Sequence, residues 1–201
     1  MVGMLLLGAV TTVQADEVHV AVATNFLATL KIIAQRFEVA SGARVHISAA
    51  STGKLFAQIQ QGAPFDVFLA ADAEHARLLE QQGLAVRGSR YTYAVGRLAL
   101  WSARPGMVDE QGKIVSSGSF RHLAIANPKI APYGRAARQT LERLGVWKTV
   151  QARLVQGEDI GQTLQFVATG NAELGFVALA QVLNLPAALK GSYWLVPQDL
   201  H

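Results

Sequence analysis

The stretch VHVAVATNFLATLKIIAQRF, Val18–Phe37, decides the fold. Its first part, His19–Ala23, has the β-branched, apolar-rich composition of a strand. Its last part repeats apolar residues at helical spacing, namely Phe26, Leu27, Leu30, Ile33, Ala34 and Phe37. Two small hydrogen-bonding residues, Thr24 and Asn25, lie between these parts. We therefore predict a β-strand followed by an α-helix, with a polar pair at the junction.

The same pattern continues through the first half of the chain. Further strands are predicted at Arg44–Ala49 and Phe65–Asp72, and further helices at Lys54–Gln61 and Glu74–Gln82. Alternating strands and helices indicate a parallel sheet covered by helices. The second strand–helix junction again carries a polar pair, Ser51 and Thr52. We predict that residues 16–95 form a first lobe.

The second half repeats this alternation after a break. Tyr91–Ala103 is too long for one ordinary strand, and we predict that it crosses into a second lobe with a hinge near Ala94–Gly96. The second lobe, residues 96–191, has predicted strands at His122–Ala126 and Ala152–Gln156, helices at Gly134–Leu144 and from Ile160, and a strand that turns into a helix within Glu173–Leu185. The last segment, residues 192–201, is predicted to return toward the first lobe through a strand at Ser192–Pro197. The predicted fold class is α/β with two lobes, each a mostly parallel sheet flanked by helices.

Composition narrows the classes of function. Of the 201 residues, 51% are hydrophobic and 16% charged, which is typical of a globular protein. The net charge of +4 comes from scattered Lys and Arg residues, so no nucleic-acid partner is predicted. Because the chain has no Cys, it has no disulfides, thiolate metal ligands or Cys nucleophiles. The five His residues show no metal-ligand spacing, and no metal held directly by the protein is expected.

The N-terminus indicates export. Residues 1–15, MVGMLLLGAVTTVQA, are apolar but shorter than the roughly 20 residues that span a bilayer. They end in Val13-Gln14-Ala15, a small-x-small pattern typical of a signal cleavage site. We predict a signal peptide that lacks its usual basic start, and a mature periplasmic chain from Asp16; a buried first helix is the alternative.

Four strand–helix junctions have features of an anion site, namely Thr24-Asn25, Ser51-Thr52-Gly53, Asn127–Gly134 and Asp159-Ile160-Gly161. Ligands bind at the carboxyl ends of parallel strands, and helix N-termini at that edge favour anions. Helix capping is the alternative for each junction, and Asp159 is predicted to be only a cap. One cap needs one side chain, whereas the first two junctions each offer two. We therefore predict that all four junctions meet in one cleft between the lobes.

The side chains at these junctions indicate which anion fits. They offer hydroxyls, an amide and backbone N–H groups, with Lys54 as the adjacent cation and carboxylates only at Glu158 and Asp159. A lining of donors suits a fully deprotonated tetrahedral oxyanion such as molybdate, tungstate or sulfate. Hydrogen phosphate carries a proton that needs an acceptor, so it should fit less well.

Enzyme motifs are not supported by the spacing of residues. STGKLF (Ser51–Phe56) lacks the earlier Gly and the Ser/Thr of a P-loop, and no GxSxG sequence occurs. Asp66 and Asp72 flank one predicted strand, where capping or turn roles are expected and not an acid–base pair. No catalytic residue is predicted. An enzyme acting on a phosphorylated small molecule stays as an alternative, because such enzymes also use anion-binding helix N-termini.

Several segments together resemble periplasmic molybdate-binding proteins, the substrate-binding components of ABC importers for molybdate and tungstate; they are AVATNFLATLKIIAQRF, STGKLFAQIQQGAPFDVFLAAD, LALWSARPG, IANPKIAPYGRAA and GEDIGQ…LGFVALAQV. The resemblance covers nearly the whole chain from Asp16. It implies a type II periplasmic-binding-protein fold with the ligand in the cleft between the lobes. It also implies a receptor without enzymatic activity or cofactor, monomeric at full length, that delivers its oxyanion to a membrane permease. A receptor for sulfate or another oxyanion is the alternative within this class.

The resemblance also implies six ligand-binding residues: Thr24, Asn25, Ser51, Thr52, Tyr133 and Ile160. In the family, the position of Thr52 donates its hydroxyl, and the position of Ile160 donates its backbone N–H. Tyr133 falls in a turn that uses a backbone N–H and, in some members, a tyrosine hydroxyl. One branch of the family has a further tyrosine where this chain has Ala178. The chain therefore resembles the branch in which Tyr133 takes that part.

Family members continue beyond the position of His201 with another strand and a C-terminal helix that pack on the first lobe. We therefore expect apolar faces of the Val18–Phe37 unit to be exposed in this 201-residue chain. We also expect its first lobe to be less stable than in an extended chain and to self-associate. The second lobe, Arg97–Gly191, is expected to be unaffected.

Overall fold

The structure is a computed structural model that describes residues 16–201, so the predicted signal peptide at residues 1–15 lies outside it. Two β-sheets are present in the described residues, one of three strands and one of five. The first sheet lies in the N-terminal half and the second in the C-terminal half. Between them, residues 91–97 belong to no helix or strand. We call the two halves the first and second lobes.

The first lobe contains the predicted alternation of strands and helices. Its elements are β1 (Glu17–Ala23), α1 (Leu27–Ser41), β2 (Arg44–Ala50), α2 (Thr52–Gln60), β3 (Val67–Leu69) and α3 (Ala73–Gln81). The three strands are parallel in the order β2-β1-β3. β3 is shorter than the predicted strand Phe65–Asp72, and beyond its end the N–H of Ala71 donates to the side chain of Thr52.

The second lobe has a mixed sheet in the order β6-β5-β7-β4-β8. Its elements are β4 (Leu98–Ser102), α4 (Ile114–Ser117), β5 (Leu123–Ala126), α5 (Pro132–Arg143), α6 (Trp147–Val150), β6 (Leu154–Gly157), α7 (Ile160–Ala168), β7 (Leu174–Ala178), α8 (Leu179–Leu183) and β8 (Ser192–Leu195). β5 is parallel to β6 and β7, whereas β4 is antiparallel to β7 and β8. Short 3-10 turns follow α6, α8 and β8.

The last strand, β8, runs toward the hinge, because it is antiparallel to β4 with Ser192 opposite Ser102 and Leu195 opposite Ala99. β8 is an edge strand of the second sheet, with Trp194 opposite Leu100 of β4. Trp194 and Val196 are buried in the core of the second lobe, whereas Tyr193 and Leu195 are exposed. Burial of one apolar face therefore fixes this strand on the second lobe, whose sheet extends beyond the predicted boundary at residue 191.

The two lobes bury their elements to different extents. In the second lobe β4, β5 and β7 are buried along their whole length. In the first lobe no residue of β2 is buried, and α1 buries only Leu30 and Ala34. Ile33 and Phe37, which belong to the predicted apolar stripe, are 48% and 46% exposed. The expected exposure of apolar surface in the Val18–Phe37 unit is confirmed.

Candidate functional site

The first two polar junctions lie side by side at one edge of the first sheet. β1 and β2 are parallel with Ala23 opposite Ala50, so both strands end at the same level. The N–H of Thr24 donates to the carbonyl of Ala50 over 3.2 Å, which continues the pairing past β1. Thr24 and Asn25 therefore emerge next to Ser51, at the carboxyl edge where ligands bind in parallel sheets.

The side chains of these two junctions do not cap helices. Ser51 is the N-cap residue of α2 and has extended backbone, but its side chain makes no capping hydrogen bond. Asn25 precedes Phe26, the N-cap residue of α1, which has no side-chain cap either. Among the described residues, Ser51 Oγ and Asn25 Oδ1 are buried without a hydrogen-bond partner. Buried polar atoms without partners are rare and costly, which indicates that something absent from the protein chain satisfies them.

The fourth junction contains a true cap, as predicted. Asp159 Oδ1 accepts the N–H groups of Gly161 and Gln162 over 2.8 and 3.0 Å. Ile160, the first residue of α7, is buried, and the N–H of a first helical residue has no partner within its helix. The role of Asp159 as a cap is confirmed, and it leaves the N–H of Ile160 at the helix N-terminus.

Thr52 is held in place by the first lobe. It is fully buried, and its Oγ1 accepts the N–H of Ala71 over 3.0 Å. A hydroxyl offers one donor and two acceptor positions, so this contact leaves the Thr52 proton available. The bond orients the hydroxyl as a donor beside Ser51.

The third and fourth junctions share a small apolar cluster in the second lobe. Ala126, Ala131, Ile160 and Ala178 are buried together, and Tyr133 packs against them. Tyr133 lies in the first turn of α5, which begins at Pro132. The small residues at this cluster bring the first turns of α5 and α7 to the same place.

Two hydrogen bonds donated by backbone N–H groups join the junctions of opposite lobes. The N–H of Gly161 lies 3.3 Å from Thr24 Oγ1, and the N–H of Gly53 donates to the carbonyl of Ile130 over 2.9 Å. A Cβ at Gly53 would stand 2.9 Å from that same carbonyl oxygen. The lack of a side chain at Gly53 therefore permits a close approach of backbone from the other lobe. All four predicted junctions thus meet in one cleft.

Tyr133 reaches across the cleft to the hinge. A Cβ at Gly96 would stand 2.1 Å from the Tyr133 hydroxyl oxygen, so only glycine leaves room for it. Burial, together with the nearby Tyr93, raises the pKa of Tyr133 to about 12, against an opposing hydrogen bond from Asn25. Tyr133 is therefore a neutral phenol that can donate a hydrogen bond at ordinary pH.

Charged groups near the cleft are paired with one another. Lys54 Nζ lies 2.6 Å from Glu158 Oε1, and this hydrogen bond raises the pKa of Lys54. Arg135 Nη2 lies 2.5 Å from Asp72 Oδ2. Burial opposes ionisation of Asp72, but hydrogen bonds from His75 and Arg135 hold its pKa below the ordinary value. Sequence reasoning noted Lys54 and Glu158 separately and missed both pairs, since their partners lie more than 60 positions apart.

A larger cavity of about 920 Å³ adjoins the site but is not the anion site. It shares Asn25 and Tyr133 with the site, and its walls continue along the hinge to Leu183 with mostly apolar side chains. Ser51, Thr52 and Ile160 do not line it. Within residues 16–201 no cluster of His, Asp or Glu has the arrangement of a metal site. The donors at the four junctions instead lie at helix N-terminal turns, a setting that favours small anions.

Comparison with known proteins identifies the family of this chain. Residues 18–201 match the family model described as bacterial extracellular solute-binding protein. The chain belongs to this family. The description of this family is that of a solute-binding protein and not of an enzyme. No helix in residues 16–201 is long and apolar enough to cross a membrane.

Relatives in the family carry a specific name. The chain is 55% identical over 188 residues to the molybdate-binding protein ModA of Azotobacter vinelandii, covering 94% of this chain and 75% of the relative. It is 45% identical over 197 residues to ModA of Rhodobacter capsulatus, covering 98% and 77%. The solved structure of the Azotobacter vinelandii periplasmic molybdate-binding protein matches with a TM-score of 0.88 and 46% identity, covering 92% of this chain and 80% of that one. The predicted fold class and the resemblance are confirmed.

Proposed function

We propose that this protein is the receptor of an ABC importer that captures molybdate, and also tungstate, in the periplasm and delivers it to a membrane permease. The observation that carries the proposal is the buried hydroxyl of Ser51, which has no partner among the described residues and can donate to an anion at the convergence of four helix N-terminal turns. Family membership and the names of the two similar relatives support it.

We assign anion binding to Thr24, Asn25, Ser51, Thr52, Tyr133 and Ile160. The hydroxyls of Ser51, Thr52 and Tyr133 and the N–H of Ile160 donate to the oxygens of the anion in this proposal. The Asn25 amide contributes its NH₂ group, which also forms the hydrogen bond to Tyr133 that opposes the rise in the pKa of that residue. Neutral donors suffice because fixed dipoles act strongly on a charge in a closed, water-poor cleft.

The lining also supports a choice among anions. The charges nearest the cleft, Lys54 and Asp72, already have partners in the other lobe. Hydroxyl, amide and N–H donors predominate in this lining, which favours a fully deprotonated oxyanion over hydrogen phosphate, whose proton needs an acceptor.

Isothermal titration of the mature protein with molybdate, tungstate, sulfate and phosphate tests the proposal. We expect tight binding of molybdate and tungstate, and much weaker binding of sulfate and phosphate. Equal affinities for sulfate and molybdate in direct competition would overturn the selectivity, and tighter binding of sulfate would reassign the receptor to sulfate. Binding of a sugar phosphate instead of any of the four anions would favour the enzyme class.

A further inference from the structure

Two ion pairs cross from one lobe to the other beside the site. Lys54 of α2 pairs with Glu158, just before α7, at 2.6 Å. Asp72, at the start of α3, pairs with Arg135 of α5 at 2.5 Å. None of these four residues belongs to the six assigned to the anion.

The two ion pairs have opposite orientations across the cleft. The first lobe contributes a cation at Lys54 and an anion at Asp72, and the second lobe contributes the opposite charge to each pair. Sliding one lobe along the other would bring like charges together, which is unfavourable. One relative placement of the lobes therefore satisfies both pairs at once.

Each charged residue is closely connected to a residue assigned to the anion. Lys54 lies two positions after Thr52, Glu158 two positions before Ile160, and Arg135 two positions after Tyr133. Asp72 follows Ala71, whose N–H donates to Thr52 Oγ1 over 3.0 Å. A shift at either ion pair is therefore transmitted to the donors over one or two residues.

Hydrogen bonds within the first lobe fix the orientation of the Asp72 carboxylate. Its Oδ1 accepts the N–H of His75 over 3.0 Å, and the His75 ring nitrogen Nδ1 lies 2.9 Å from both carboxylate oxygens. The side chain of Asp72 is only 16% exposed, whereas those of Lys54 and Glu158 are half exposed. Solvent screens exposed pairs, so the pair of Asp72 and Arg135 should contribute more to closure.

We propose that these two ion pairs form a latch that sets the register in which the lobes close and slows the escape of the anion. The proposal rests on the proposed function. A latch of this kind acts on the closed state, so its loss should raise the dissociation rate and leave the association rate nearly unchanged.

A double-mutant cycle with sodium molybdate as the probe tests the latch. The variants are Asp72→Asn, which keeps a side-chain oxygen for capping α3, Arg135→Met, and the double variant. We expect each single variant to raise the dissociation rate by roughly threefold to tenfold, and the double variant by no more than the worse single one. Lys54→Met and Glu158→Gln should each have a smaller effect, about twofold. Additive effects in the cycle, or unchanged dissociation rates, would overturn the proposal.

A charge pair within the second lobe provides the matched control. Arg138 and Glu142 lie 2.7 Å apart on α5 and are about as exposed as Lys54 and Glu158. Arg138→Met and Glu142→Gln make the same changes in net charge, so they control for long-range attraction of the anion. Dissociation rates of these variants should equal that of the unmodified protein; a rise equal to that of Arg135→Met would show that net charge and not the latch is responsible.

A measurement of the distance between the lobes distinguishes a failure of the latch proposal from a failure of the proposed function. Because the chain has no Cys, spin labels can be attached through Ala28→Cys on α1 and Gln139→Cys on α5 alone. Both positions are exposed, one in each lobe. Without molybdate, Arg135→Met should shift the distance distribution toward longer distances, and Arg138→Met should not. If the unmodified protein binds no molybdate, the proposed function fails, and the distance distributions still decide the latch: an unchanged distribution in Arg135→Met overturns it.

Discussion

The N-termini of α2 and α7 approach the same cleft, yet their N-cap side chains differ in what they do. The carboxylate of Asp159 caps its own helix, because its Oδ1 accepts two N–H groups of α7. Ser51 occupies the equivalent position of α2, and its buried Oγ has no partner among the described residues. Both residue types are favoured caps, so residue preference alone cannot separate a cap from a ligand contact. The hydrogen-bond partners separate them.

The strongest test of this difference between a cap and a ligand contact is at Asn25, which, like Ser51, has a buried side-chain atom without a partner among the described residues. We expect Asn25→Ala to weaken molybdate binding by about 10- to 100-fold, since a hydrogen bond to a charged group contributes about 1.5–3 kcal/mol. The melting temperature of the protein without anion should change little, because the side chain caps no helix. Titration calorimetry and thermal unfolding measure the two quantities. A collapse of the melting temperature would show that Asn25 is structural.

The position of Tyr133 relative to the hinge allows a second test. A Cβ at Gly96 would stand 2.1 Å from the Tyr133 hydroxyl, so Gly96→Ala should displace that hydroxyl and weaken molybdate binding roughly tenfold. The control is the same substitution in a Tyr133→Phe background, where it should weaken binding little further. Equal effects of Gly96→Ala with and without the hydroxyl would mean that the hinge backbone is responsible.

Substitution of the cap residue Asp159 should lower the stability of the protein more than its affinity for molybdate. Asp159→Ala removes two N-terminal hydrogen bonds of α7, so we expect the free energy of unfolding to fall by about 1 kcal/mol. Molybdate affinity should change less than it does in Asn25→Ala. Denaturant unfolding of the protein without anion measures the loss, with Asp159→Asn as a control that retains a capping side chain. A large loss of affinity without a loss of stability would assign Asp159 to the site.

Local sequence patterns predicted most of the fold. In Val18–Phe37 the strand and the helix are found close to their predicted bounds, because periodicity and the stop at Gly42 are local signals. The pairing of β8 with β4 was not predicted, because β4 lies about 90 residues earlier and no local pattern encodes that pairing. Strand partners are decided by which apolar face the core accepts, here that of Trp194.

The candidate site was predictable to the same extent. Polar pairs at the ends of β1 and β2 identified one edge of the sheet, since parallel strands end together. Contacts between lobes were not predictable, because Arg135 and its partner Asp72 are 63 positions apart. Gly53 shows the same limit: its small size is visible in the sequence, and the carbonyl of Ile130 that requires it is visible only in three dimensions.

The protonation state of the Tyr133 phenol determines whether the assigned side chains exchange protons with solvent when the anion binds. Among the six residues assigned to the anion, it is the one with a titratable side chain, and its pKa of about 12 keeps it protonated at ordinary pH. A fully deprotonated anion would then enter and leave without any of these side chains taking up or releasing a proton. The heat of capture should therefore be the same in buffers of different ionisation enthalpy, and acidity should affect loading only through protonation of the anion itself.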